Sequence, residues 1–62
     1  MLKMIEIIGV SEKGFTEAVN NAVEIMAKDG FKMHFFQVIE HRGSVKDGKI
    51  REFQVLLKIA VE

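Results

Sequence analysis

The chain has 62 residues, no cysteine, and 9 basic against 9 acidic side chains, for a formal charge of zero. A chain of this length removes only about 60% of its unfolded surface on folding, and with disulfides, thiolate metal sites and cysteine nucleophiles excluded, the expected source of extra stability is association with further copies. Neutral charge without a long single-sign run gives nucleic-acid or acidic-membrane binding little electrostatic support.

Met1 to Val10 (MLKMIEIIGV) is rich in isoleucine and polar only at Lys3 and Glu6, which predicts a strand. Ser11 is then placed to cap a helix, with Glu12 adding negative charge beside the positive end of its dipole. From Glu12 to about Lys28, Phe15, Ala18, Val19, Ala22, Val23, Ile25 and Met26 recur at three- and four-residue intervals opposite Lys13, Glu17, Asn20 and Asn21. That spacing predicts an amphipathic helix whose apolar stripe, Phe15 and Met26 included, is core. Asp29-Gly30 ends it, because glycine tolerates the left-handed conformation that commonly closes helices.

Phe31 to Arg42 alternates as a strand, with Phe31, Met33, Phe35, Gln37, Ile39 and His41 on one side and Lys32, His34, Phe36, Val38, Glu40 and Arg42 on the other. Gly43 to Lys49 (GSVKDGK) carries an Asp-Gly pair between strand-like runs, a strong hairpin signal that makes Asp47 a turn residue rather than a catalytic acid. The last strand, Ile50 to Val61, sets Arg51, Phe53, Val55, Leu57, Ile59 and Val61 against Gln54, Leu56, Lys58 and Ala60. The expected architecture is α+β: one β-α-β-β domain over residues 1–62, a three-stranded antiparallel sheet packed on one helix. The helix covers the face of Phe53, Val55, Leu57 and Ile59, together with Phe36 and Val38. The opposite face keeps Phe35, Ile39, Leu56 and Ala60 beside Gln37, Gln54 and Lys58, and a half-apolar open face on so small a domain suits a subunit interface or a ligand surface.

The 48% apolar content is that of a globular chain. Its apolar runs fall well short of the roughly 20 residues that span a bilayer, and the N-terminus lacks a signal-peptide pattern, so a soluble cytoplasmic protein is expected. His34 and His41 have opposite strand parity and no third ligand nearby, which reads as surface histidines rather than a zinc site. No Ser/His/Asp or paired-carboxylate arrangement and no glycine-rich phosphate loop is present, so catalysis is not expected.

Four stretches resemble the dodecin family: IEIIGVSEKGF, FFQVIEHRG, SVKDGKI and REFQVLLKIAV, in that order and spacing from Ile5 to Val61. The resemblance implies a hollow homododecamer with flavins such as FMN, riboflavin or lumichrome bound as stacked pairs between subunits. The implied role is flavin storage and photoprotection, since a flavin between stacked aromatic rings loses its excited state quickly. It also implies that Phe35 takes the place of the tryptophan that stacks on the flavin, that Gln54 pairs with the polar edge of the ring, and that Gln37 replaces a carboxylate. Arg42-Gly43 keeps the family's Arg-Gly. A phenylalanine ring offers a smaller stacking face, so weaker flavin binding is expected.

By alternation Phe35, Gln37, Gln54 and Leu56 share the uncovered face, where a ring and two amides suit a flat heteroaromatic ligand with donor and acceptor edges. Phe35 equally suits a subunit contact, Gln54 suits a ligand contact slightly ahead of a hydrogen bond between subunits, and for Gln37 the hydrogen bond between subunits comes first. Arg42, with Glu40 and Lys58, is expected in intersubunit ion pairs ahead of a flavin phosphate. The competing function is a dodecin-like structural assembly that has exchanged its flavin for a metal ion or another small molecule.

Overall fold

A computed structural model of the chain covers residues 1–62 and has the expected element order: β1 Lys3–Ser11, α1 Phe15–Lys28, β2 Met33–Lys46 and β3 Lys49–Val61. The strands form one antiparallel sheet in the order β1-β3-β2. The most deeply buried strand is the central one, paired along both edges: Val55, Leu57, Ile59, Ala60 and Val61 are all buried.

Local chemistry sets the ends of the elements. Ser11 does not cap the helix as the sequence suggests; it is the last residue of β1, and its hydroxyl accepts from the Lys13 N–H at 3.0 Å. The first helical bond runs from Ala18 N to Gly14 O at 3.0 Å, so α1 starts at Phe15 rather than Glu12. Its C-terminus closes as expected at Gly30 (φ 86°), where Gly30 N–H donates to Ala27 O and Phe31 N–H to Met26 O. These two bonds are the pair that satisfies the last carbonyls of a glycine-terminated helix. The hairpin is tighter than Gly43 to Lys49: β2 runs to Lys46, and only Asp47 (φ 53°) and Gly48 (φ 75°) turn the chain. Positive φ at both central residues is the two-residue turn whose twist matches that of paired strands.

The core lies between α1 and the β1–β3 half of the sheet, where Ala18, Ala22 and Met26 meet Val55, Leu57, Ile59 and Val61, with Ile5, Ile7 and Val38 packed around them. The helix comes so close to β1 that a methyl group on Gly9 would stand 2.2 Å from the Ala18 carbonyl oxygen. It packs mainly on β1 and β3. Phe36 is therefore not covered as expected: it faces the helix side beyond the helix's reach and is 49% exposed. Ile25 of the expected stripe is also exposed, and Phe15 is only partly covered, its ring edge-on to Phe53 at 5.0 Å and to His41 at 4.8 Å. Only 10 of 62 residues are buried while large apolar side chains stand exposed on both faces, the surface pattern of a subunit whose partners cover much of it.

Candidate functional site

The uncovered face is built in rows across the three strands. Met4, Ala60 and Phe35 make one row, Glu6, Lys58 and Gln37 the next, then Ile8, Leu56 and Glu40, and finally Val10, Gln54 and Arg42. Three register shifts interrupt the β2–β3 ladder, between Met33 and Phe35, between Val38 and Glu40, and between Ser44 and Val45. A one-residue shift moves every following side chain to the other face.

The shift at Ile39 overturns the simple alternation. Glu40 and Arg42 join Phe35 and Gln37 on the uncovered face, whereas His41 turns to the helix side, opposite Val55 and against Phe15. The shift at His34 likewise separates Met33, which packs on the core, from Phe35. All four candidates, Phe35, Gln37, Arg42 and Gln54, thus lie on one face, a grouping that period-two alternation alone does not allow for Arg42.

Two hydrogen bonds organise the Gln54 end of that face. Arg42 donates from Nε to Gln54 Oε1 at 2.9 Å, and Gln54 donates from Nε2 to Glu52 Oε1 at 2.8 Å. Within one chain Arg42 bonds the Gln54 amide. Glu52 was not singled out from the sequence, although its place two residues before Gln54 on the same strand puts it on the same face. Next to Arg42 on this side, the Ser44 hydroxyl is buried with no partner. At the far end the Phe35 ring is 55% exposed. Gln37 is exposed in the row of Lys58 and makes no side-chain hydrogen bond within the chain.

The face itself is open rather than concave. None of the chain's three surface hollows is lined by Phe35, Gln37 or Gln54, and the one that includes Arg42, about 240 Å³, lies mainly against Phe15, Val45, Ile50 and Phe53. His34 is not near His41; its Nε2 meets the Glu62 carboxylate at 2.6 Å. No three His, Asp or Glu side chains come together in one chain in a way that could hold a metal ion. No helix is long and apolar enough to cross a membrane.

The model of the Dodecin family matches residues 1–62, the whole length. The chain belongs to the dodecin family. It is 32% identical over 57 residues to the dodecin of Thermus thermophilus, covering 92% of this chain and 83% of that one. Its backbone is similar to that of the dodecin from Streptomyces coelicolor, with a TM-score of 0.94, 33% identity and coverage of 98% of this chain and 87% of that one. It is also similar to a calcium-chelating dodecin from Mycobacterium tuberculosis, described as having a novel calcium-binding site, with a TM-score of 0.85, 28% identity and coverage of 97% and 86%. The β-α-β-β order and the three-stranded antiparallel sheet against one helix are those of dodecin structures.

Proposed function

We propose that this protein binds a flavin, such as FMN, riboflavin or lumichrome, between the subunits of a closed homo-oligomer, a dodecamer as the family resemblance implies, and serves flavin storage and photoprotection in the cytoplasm rather than catalysis. The observation that carries the reading is that an exposed aromatic ring, Phe35, and an organised amide, Gln54, lie at opposite ends of the one sheet face that the helix leaves open. The residues fit such a ligand. An aromatic ring stacks on the ring system, and the Gln54 amide keeps one further N–H and one further lone pair for a polar edge. Arg42 keeps N–H groups for a ribityl hydroxyl or a phosphate. A bound flavin supplies the light-absorbing ring system; the protein supplies an aromatic stacking contact and walls that exclude water. Because the face is flat in one chain, a second copy has to provide the opposite wall.

The test is a fluorescence titration of riboflavin with the purified protein, paired with light scattering on the same sample. Quenching by a large oligomer supports the reading, and Phe35→Trp is expected to tighten binding by about 0.5–1.5 kcal/mol from the larger stacked face. No quenching at any protein concentration overturns it. The second reading, a dodecin shell holding a metal ion, draws on the calcium-chelating relative. Since one chain gathers no three metal-ligating side chains, such a site would have to be shared between copies.

A further inference from the structure

We infer that Glu52, acting with Arg42, is a positioning residue that sets which way round the Gln54 amide stands, and that this selects ligands by the order of donor and acceptor on their edge. The inference deepens the flavin reading and rests on it for the identity of the ligand. A glutamine amide has two orientations that exchange its oxygen and nitrogen, and an unflanked amide adopts whichever suits its neighbour. Gln54 is flanked. A guanidinium has only donors and an ionised carboxylate only acceptors. With Arg42 Nε at 2.9 Å from Oε1 and Glu52 Oε1 at 2.8 Å from Nε2, one orientation makes two charge-assisted bonds. The flipped orientation would set donor against donor at Arg42 and acceptor against acceptor at Glu52.

The two flanking groups come from different directions. Arg42 is the cross-strand partner of Gln54 on β2, and Glu52 lies on β3 itself, so flipping the amide loses both bonds at once. The remaining N–H and lone pair of Gln54 are presented in a fixed sense. That sense suits a planar heterocycle with a neighbouring carbonyl and ring N–H, the imide edge of an isoalloxazine, and it discriminates against the same ring with that nitrogen methylated.

The test compares riboflavin with its imide-N-methylated analogue in the wild type, Glu52→Ala, Glu52→Gln and the Arg42→Ala/Glu52→Ala pair, with light scattering to confirm that each assembles. The expected result is a wild-type preference for riboflavin of about tenfold, the size of one well-made hydrogen bond. That preference shrinks in Glu52→Ala and in Glu52→Gln, whose own amide can offer Gln54 a donor as well as an acceptor, and is smallest in the double variant, where the Gln54 amide is free to turn its N–H toward the methylated ring. Variants that retain the full preference, or that lose both ligands equally, overturn the inference. A wild type that binds neither ligand overturns the flavin reading, and the positioning role is then decided by NMR of protein isotope-labelled at its two glutamines, Gln37 and Gln54. One set of Gln54 side-chain amide signals in the wild type that broadens or doubles in the Arg42→Ala/Glu52→Ala pair upholds it; the same signals in both overturn it.

Discussion

Phe35 and Gln54 share a sheet face but stand far apart on it: Phe35 is opposite Ala60, and Gln54 lies six residues back along the same strand, opposite Arg42. At about 3.3 Å per residue this is roughly 20 Å, farther than a ring lying on Phe35 carries its polar edge. On the flavin reading proposed above, a ligand stacked on Phe35 of one copy would therefore meet the amide of another.

Complementation between defective chains follows from that separation. Phe35→Ala and Gln54→Ala, each assembled alone, are expected to quench riboflavin poorly. Co-assembled, they regain a fraction of intact sites in which the ring comes from one chain and the amide from the other. A mixed assembly that binds no better than its parents would place ring and amide in the same chain.

Gly9 is predicted to be the least replaceable small residue. Its Cβ would meet the Ala18 carbonyl oxygen at 2.2 Å and the Ala22 side chain at 3.0 Å, and the oxygen belongs to helix backbone that moves only as a whole. Gly9→Ala should destabilise the subunit by about 3 kcal/mol, the upper range for overpacking. Denaturant unfolding measures it, and an unchanged midpoint would mean that α1 shifts freely on β1.

Acid should loosen the junction between the start of β2 and the end of β3. The hydrogen bond from His34, followed by that from Lys32, holds the Glu62 carboxyl below its ordinary value. A carboxyl with a depressed native pKa binds fewer protons folded than unfolded, so its stabilisation is present above the unfolded pKa and is lost as pH falls through the native one. Thermal midpoints of the wild type and Glu62→Gln should therefore converge on acidification through the carboxylate range and separate above it. The effect should be small because the pair is exposed to solvent and screened. Parallel curves at all pH values would show that the contact carries no stability.

Much of the fold was legible because its signals are local. Residues of alternating polarity, a helical stripe at Ala18, Ala22 and Met26, and Asp47-Gly48 between two strands each act within a few residues, and all appear in the structure. Ser11 misled because its hydroxyl has the capping chemistry but bonds Lys13 in the turn before the helix instead. Phe36 misled because alternation reports which side a residue faces, not whether the helix extends over that part of the sheet.

The candidate site was legible residue by residue but not as an arrangement. Phe35, Gln37, Arg42 and Gln54 stood out by chemical type and by resemblance, whereas strict alternation sends Arg42 to the wrong face, and Glu52 drew no notice as one charged residue among many. The Arg42–Gln54–Glu52 chain exists because a bulge at Ile39 inverts β2 against β3.

The sequence by itself determined the element order, the turn chemistry and the family, since these rest on local propensity and on patterns that extend along the chain. Only the tertiary structure decided the register. The three register shifts of β2 are a matter of how it pairs with β3, between residues distant in sequence, which period-two alternation along one strand cannot record.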